Sequence, residues 1–207
     1  MYLYFMRHGK TVWNAERKMQ GQTDIPLNEE GIIQAQKACT LLEDIDFTAC
    51  YTSPLQRARL TAQTVLKGKN TPIIVEPLLK EISFGIYEGQ SLNLTDRDPS
   101  APLNRFFHDS LNYIPPKDGE SFYELLSRNL QFLNKIMAMD YSDDSKILVT
   151  SHGAFIRGIV TLSANLSISQ FWRRQPLKNC GMTVVKADKS GYALIKEAVD
   201  VLNGEKP

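Results

Sequence analysis

Short apolar runs alternate along the chain with longer segments in which apolar residues recur every three or four positions. The short runs predict strands at residues 2–6, 47–52, 73–75 and 146–151. The first run is typical of a strand buried on both faces, and the last also predicts a buried strand. The periodic segments predict helices at residues 28–42, 55–66, 121–137 and 154–162. Strands that alternate with helices predict an α/β fold, a three-layer α/β/α sandwich around a mainly parallel sheet.

Two helix starts and a closing hairpin refine this plan. Asn28 precedes two glutamates and suits an N-cap, and Ser121 with Glu124 forms the S-x-x-E pattern of a capping box. Apolar residues at 181–187 and 192–198 flank a polar DKSG stretch and predict an antiparallel hairpin. The sheet is therefore expected to be mixed.

The segment from residue 90 to residue 120 lacks a regular pattern. It contains several prolines and scattered aromatic and leucine side chains, and its lysines and arginines are Arg97, Arg105 and Lys117. We expect a single domain that spans residues 1–207, since domains average roughly 150 residues. Segment 90–120 is expected to be a flap inserted into this domain.

Composition and charge exclude several classes of protein. With 43% apolar and 23% charged residues among 207, the chain is typical of a globular protein with a sizeable core. The 24 basic and 23 acidic residues leave a net charge of +1, so we expect neither nucleic acid nor a membrane as a partner. The apolar start ends at Arg7, too soon for a signal peptide, and a cytoplasmic protein is expected. The scattered Cys39, Cys50 and Cys180 predict buried apolar side chains rather than a zinc or redox site.

Two of the three histidines, His8 and His152, stand at the ends of predicted strands, and a glycine follows each. Ligands of open α/β sheets bind at the carboxyl ends of strands, so both imidazoles are expected to face one crevice. Gly9 and Gly153 would let the backbone approach a ligand closely. The alternative is a pair of buried, hydrogen-bonded histidines without a chemical role.

Arginines near the same strand ends indicate an anion site. Arg7 precedes His8, and Arg57 and Arg59 open the helix after the second strand. A guanidinium is a planar fork suited to phosphate oxygens, and a helix N-terminus adds N–H donors. In a chain of net charge +1, this concentration of positive charge predicts a local phosphate site.

Other catalytic motifs are incomplete. The sequence Gly9-Lys10-Thr11 ends like a phosphate-binding loop, but Tyr4 stands where that loop requires its first glycine. The histidines have neither H-x-H nor H-x-x-x-H spacing and no clustered acids, so no metal site is expected. The G-x-S-x-G elbow of a serine hydrolase does not occur in the sequence.

Four longer stretches form an ordered set between residue 1 and about residue 160. They are MRHGKTVWNAERKMQGQTDIPLNEEGIIQA, TSPLQRARLTA, LLKEISFGIYEG and VTSHGAFIRG. This set resembles the signature of the histidine phosphatase superfamily, also called the phosphoglycerate-mutase-like family, and is most similar to that of its small bacterial broad-specificity phosphatases. The resemblance implies a small phosphorylated substrate and no cofactor.

The resemblance also implies a role for each matched residue. His8 would be the nucleophile that becomes phosphohistidine, and Glu81 would protonate the leaving oxygen and then accept a proton from water. The phosphoryl oxygens and the rest of the pocket would be bound by Arg7, Arg57, His152, Asn14, Gln20, Gly21 and Gly153. We expect His152 to be protonated, because it would then share the electrostatic stabilisation of the transition state with the two arginines. Arg59 and His108 fall outside the matched set, so we expect Arg59 to pack or face solvent and His108 to be exposed.

The resemblance leaves the reaction open between hydrolysis and transfer. Apolar side chains outnumber basic ones in segment 90–120, which favours water as the acceptor and a metal-independent phosphatase for small phosphomonoesters. A cofactor-dependent phosphoglycerate mutase and a non-catalytic phosphate-binding regulatory module are the alternatives. Lys10 stands where the family usually has glutamate, and we expect its charge to alter the pocket electrostatics and the pH optimum modestly.

Overall fold

The computed structural model describes residues 1–92, 98–101 and 103–207. Its strands are β1 (Tyr2–Arg7), β2 (Ala49–Thr52), β3 (Ile73–Val75), β4 (Lys146–Ser151), β5 (Met182–Asp188) and β6 (Gly191–Val199). They form one sheet in the order β3–β2–β4–β1–β5–β6. The first four strands in this order are parallel, whereas β5 is antiparallel to β1 and β6 to β5. The predicted mixed, mainly parallel sheet is confirmed.

The helices are α1 (Val12–Ala15), α2 (Glu29–Leu41), α3 (Gln56–Val65), α4 (Asn104–His108), α5 (Phe122–Met137) and α6 (Gly153–Ser163). Asn28 caps α2 by accepting a hydrogen bond from Gly31 N. Ser121 and Glu124 form the reciprocal capping box at the start of α5. Both predicted helix starts are therefore confirmed.

Helices cover both faces of the sheet. Along β1, Leu3 and Phe5 pack in one core with α5 and α6, whereas Tyr4 and Met6 pack in a second core with α2 and α3. A strand between two helical layers has no solvent face, which explains why all four side chains are buried. The two edge strands are less buried, because the three side chains of β3 are 38–50% exposed and Ala193, Ile195 and Lys196 of β6 are exposed as well. This arrangement is the predicted three-layer sandwich.

The described part of segment 90–120 is more ordered than its sequence indicates. It contains α4 and a 3₁₀ turn at Ser110–Asn112. Phe106 of α4 is 1% exposed and stacks on Phe122 of α5, with ring centroids 5.0 Å apart. Aromatic packing therefore anchors the segment to the core. Arg97, one of its basic residues, lies outside the described residues.

One prediction about the cysteines is wrong. Cys50 and Cys180 are buried, but Cys39 is partly exposed. It lies in the last turn of α2 and faces the residues after α3, with its Sγ 3.9 Å from Lys67 O. Among the described residues, no helix is both long and apolar enough to cross a membrane.

Candidate active site

The parallel neighbours β1 and β4 end side by side. Arg7 and Ser151 are paired at the last position of their register, and His8 N donates to Ser151 O at 2.9 Å. The residues that follow the two strands, His8 and His152, therefore lie next to each other, with ring centroids 5.2 Å apart. The structure brings the two histidines together as the strand ends predict.

His8 has a fixed tautomer. The side chain is 3% exposed, and Nδ1 lies 2.7 Å from the carbonyl oxygen of Gly9. A carbonyl oxygen only accepts, so Nδ1 carries the hydrogen and Nε2 keeps its lone pair. Burial, together with the positive charges of Arg57 and Arg7, holds the pKa of His8 well below its usual range. At neutral pH the imidazole is therefore neutral, with a lone pair on Nε2.

Arg57 lies fully buried in the first turn of α3. Its Nη2 donates to Gly21 O at 2.7 Å, and its Nη1 donates to Thr23 O at 2.8 Å. Its Nε donates to Nδ1 of His152 at 3.2 Å. Burial lowers the pKa of Arg57 to about 10, so the group stays charged at neutral pH. Acceptors on three sides fix this positive charge beside the two histidines.

The hydrogen bonds of His152 are those of a neutral ring, whereas the sequence led us to expect a protonated one. Its Nδ1 accepts from Arg57, which leaves the hydrogen on Nε2, 2.8 Å from Ser53 Oγ. Complete burial and the charge of Arg57 hold the pKa of His152 well below its usual range. Burial of this kind is not readable from a sequence motif.

Arg7 supplies a second guanidinium. Its Nη1 donates to Leu177 O at 2.7 Å, whereas its buried Nε has no hydrogen-bond partner among the described residues. A methyl group on Gly153 would lie 3.6 Å from this Nε and 3.7 Å from Glu81 Oε2. Glycine therefore leaves open the space between the guanidinium and the carboxylate.

Glu81 is held at the N-terminus of α6. Its Oε2 accepts from Ala154 N at 3.1 Å, and its Oε1 accepts from Phe155 N at 3.0 Å. Arg128 of α5 fixes the backbone next to Glu81 by donating a hydrogen bond to Lys80 O at 2.6 Å. The carboxyl group is thus fixed in orientation while it borders the same crevice as His8.

Asn14 of α1 borders the crevice together with Gln20 and Gly21, which lie in the loop after that helix. Thr11 accepts from Asn14 N at 3.1 Å, and its hydroxyl donates to Gln20 Oε1 at 2.9 Å. Gly21 has a φ of 52°, and a Cβ there would lie 2.0 Å from the carboxylate of Glu88. Only glycine combines this backbone conformation with so close a neighbour.

The sequence analysis missed Glu88. Its Oε1 accepts from Gln22 N at 2.9 Å and from Phe84 N at 3.1 Å, and its Oε2 accepts from Thr23 N at 2.8 Å. The Thr23 hydroxyl donates to the same oxygen. Glu88 therefore holds the loop whose carbonyl groups bind Arg57. Its only sequence signal is its place in FGIYEG, which resembles an exposed turn.

These side chains border a cavity of about 220 Å³, hereafter the catalytic cavity. Its polar walls are formed by Arg7, His8, Asn14, Gln20, Gly21, Arg57, Glu81 and Gly153. Its apolar walls are formed by Met19, Phe84, Leu92, Phe106, Phe107, Ala154 and Trp172, and Lys18 adds one further charge. His152 lies against His8 outside these walls. In the described part of the chain, no three His, Cys, Asp or Glu side chains are grouped to hold a metal ion.

Comparison with known families decides the assignment. The sequence profile of the histidine phosphatase superfamily (branch 1) matches residues 3–199. The chain belongs to this superfamily. A curated relative, "Probable phosphoglycerate mutase GpmB" of Cronobacter sakazakii, is 30% identical over 211 residues, which cover 100% of this chain and 96% of the relative.

Solved structures of similar proteins have the same fold. Bacillus stearothermophilus YhfR is 28% identical with a TM-score of 0.88, over 97% of this chain and 98% of that one. Phosphoserine phosphatase from Entamoeba histolytica, solved in complex with 3-phosphoglyceric acid, is 28% identical with a TM-score of 0.82, over 97% and 98% of the two chains. Proteins named as phosphatases and proteins named as mutases are thus both similar to this chain.

Three residues singled out by the sequence lie outside the walls of the catalytic cavity. Arg59 is exposed on α3, and His108 is exposed at the end of α4, as predicted. Lys10 forms an ion pair with Glu30, with Nζ 2.7 Å from Oε2. The charges that lower the pKa of His8 are those of Arg57 and Arg7.

Proposed function

We propose that the protein is a metal-independent phosphatase that hydrolyses small phosphomonoesters through a phosphohistidine on His8. The observation that carries this proposal is the neutral His8, with Nδ1 held by Gly9 O and two guanidiniums beside it. A neutral imidazole attacks phosphorus without first losing a proton. Arg7 and Arg57 supply the positive charge that a metal ion supplies elsewhere.

The first step transfers the phosphoryl group to His8. The lone pair of His8 Nε2 forms a bond to phosphorus as the bond to the ester oxygen breaks. Glu81, protonated at this stage, gives its proton to that oxygen, and the alcohol leaves. Arg7 and Arg57 bind the phosphoryl oxygens, over which the charge of the loose transition state is spread.

The second step releases phosphate. Glu81, now ionised, takes a proton from water as the water oxygen forms a bond to phosphorus. The nitrogen–phosphorus bond breaks, phosphate leaves, and the lone pair returns to Nε2. The residues that border the reacting atoms are then back in their starting states, so one set of side chains serves both steps.

The apolar lining of the catalytic cavity supports hydrolysis over transfer between phosphoglycerates. Phe84, Phe106, Phe107 and Trp172 form an aromatic wall that suits an organic group with apolar parts. A phosphoglycerate mutase is the second candidate, because the relative named GpmB is 30% identical over the whole chain.

The test is release of phosphate from p-nitrophenyl phosphate in excess chelator, with His8→Ala as the variant and His108→Ala as the matched control. We expect turnover in the parent and in His108→Ala, and none in His8→Ala. Transfer of 3-phosphoglycerate to 2-phosphoglycerate without phosphate release would favour the mutase. Phosphate binding without either reaction would favour a regulatory module.

A further inference from the structure

A second cavity, of about 150 Å³, adjoins the catalytic cavity. Arg7, Gly153 and Trp172 line both of them. The other charged side chains of the second cavity are Arg157 of α6 and Arg174, which lies in the segment between α6 and β5. We call this second space the arginine cavity. No step of the proposed reaction uses Arg157 or Arg174.

Positive charge is in excess around the arginine cavity. Glu197 of β6 pairs with Arg157, with Oε1 2.7 Å from Nη1, and its other oxygen pairs with Arg174. One carboxylate therefore serves two guanidiniums. Arg7 adds a third guanidinium, which faces Glu81 on the side of the catalytic cavity.

A purely structural role explains only part of this cluster. The side chains of Arg157 and Glu197 are 6% and 12% exposed, so each neutralises the other in a buried pair. The side chain of Arg174 is 40% exposed, and the buried pair is complete without it. Arg7 also lines this cavity, and its buried Nε has no hydrogen-bond partner among the described residues.

We propose that the arginine cavity binds a carboxylate of the same substrate whose phosphoryl group reacts at His8. This inference rests on the proposed function and narrows its substrate class to phosphomonoesters of small organic acids. A guanidinium fork binds the two oxygens of a carboxylate side by side. Because Arg7, Gly153 and Trp172 line both cavities, the carboxylate and the phosphoryl group would lie on two sides of the same guanidinium.

A matched pair of substrates isolates the carboxylate. In 3-phosphoglycerate and glycerol 3-phosphate the phosphorylated three-carbon skeleton is the same, and a carboxylate in the first replaces a hydroxymethyl group in the second. The measured quantity is the ratio of the two kcat/KM values, from phosphate release. We expect the wild-type ratio to favour 3-phosphoglycerate and to fall as KCl is raised to about 0.5 M, since salt screens exposed charges.

Arg174→Gln is the test variant, and Arg173→Gln is its matched control. Both arginines belong to the same exposed segment, but Arg173 does not line the cavity. We expect Arg174→Gln to lower the ratio about fivefold, as for the loss of a partly exposed ion pair. Arg173→Gln should leave the ratio unchanged. Arg157 is not suitable for the test because its loss would leave Glu197 buried without its partner.

Two results would overturn the inference. One is an equal ratio in the wild type and in Arg174→Gln. The other is a fall in the ratio for Lys18→Gln but not for Arg174→Gln, which would assign the carboxylate to the catalytic cavity. Calorimetric binding of the same two compounds to His8→Ala gives a ratio of Kd values without turnover. An inactive wild type would therefore refute the proposed function, while the Kd ratio still decides this inference.

Discussion

Arg57 donates its Nε hydrogen to Nδ1 of His152 across 3.2 Å. This contact joins the helix that follows β2 to the residue that follows β4, and it leaves His152 to donate from Nε2 to Ser53. With Gly21 O and Thr23 O as its other acceptors, the Arg57 guanidinium has one orientation. The site is therefore assembled before any substrate arrives.

This relationship predicts that Arg57→Lys is a severe change although the charge is kept. A lysine ammonium is a point charge and cannot reproduce the planar fork that contacts acceptors on three sides. We expect kcat/KM for p-nitrophenyl phosphate to fall about a hundredfold, the usual cost of losing one oriented donor in the transition state. Steady-state kinetics of the purified variant measures it.

Arg59→Lys is the control for this substitution, because Arg59 is exposed on the same helix two positions further on. Its kinetics should match those of the parent. If Arg57→Lys keeps kcat/KM within about threefold of the parent, orientation is unimportant and only charge at this position matters.

The buried histidines predict that the protein loses stability in mild acid. Burial holds the pKa of His8 and of His152 well below 6.5 in the folded protein, whereas both titrate normally when unfolded. Below about pH 6.5 the unfolded state binds more protons, so the free energy of unfolding falls as the pH falls. The slope approaches about 1.4 kcal/mol per pH unit for each histidine until the folded-state pKa is reached.

Urea denaturation between about pH 7.5 and about pH 5.5 measures this slope, in a range where most carboxylates stay ionised. His152→Gln should reduce the slope by roughly half, because one of the two depressed histidines is gone. The exposed His108 provides the control, and His108→Gln should keep the parent slope. An unchanged slope in His152→Gln would show that other groups control the pH dependence.

We predict that Glu88 acts on the reaction through Arg57, as a positioning residue. In Glu88→Gln one carboxylate oxygen becomes an amide NH₂, which cannot accept from the N–H groups of Gln22, Thr23 or Phe84. The loop carbonyls that bind Arg57 then lose their support. We expect kcat/KM to fall about tenfold, since a charged acceptor contributes roughly 1.5 kcal/mol or more per hydrogen bond.

Glu76→Gln is the matched control for Glu88→Gln. Glu76 is 3% exposed and accepts from Leu78 N at 3.0 Å, but it does not line the catalytic cavity. Both variants should lose stability, whereas only Glu88→Gln should change the kinetics and the affinity for phosphate. Equal kinetic losses in the two variants would reduce Glu88 to a structural role.

Much of the fold can be predicted from the sequence because each layer has a local signal. The wholly apolar runs of β1 and β4 predict strands with two buried faces, and the capping box at Ser121 fixes the start of α5. The position of His8 and His152 beside each other follows from strand order, since parallel neighbours end at the same edge. Segment 90–120 was harder because Phe106 is buried by residues distant in sequence.

The parts of the site that the sequence does not predict depend on contacts between distant backbone groups. Glu88 binds N–H groups of residues 22 and 23, which lie 66 and 65 positions away. The neutral state of His152 depends on its complete burial next to Arg57. A sequence motif shows only that such residues are polar, whereas their roles depend on their neighbours in the three-dimensional structure.

Lys10 yields the last prediction, because its contacts in the structure argue against the effect that we expected from the sequence. A lysine two positions after His8 suggests an effect on the pH optimum. Its Nζ is instead 2.7 Å from Glu30 Oε2, with the two side chains 31% and 55% exposed, so solvent and an opposite charge screen it. We expect Lys10→Glu to leave the pH dependence of kcat/KM unchanged and to lower the free energy of unfolding by less than about 1 kcal/mol, through repulsion from Glu30. Adding Glu30→Lys should restore the stability by reversing the pair. If the acidic limb of the pH profile of kcat/KM moves by about half a pH unit in Lys10→Glu, the charge at position 10 does affect His8.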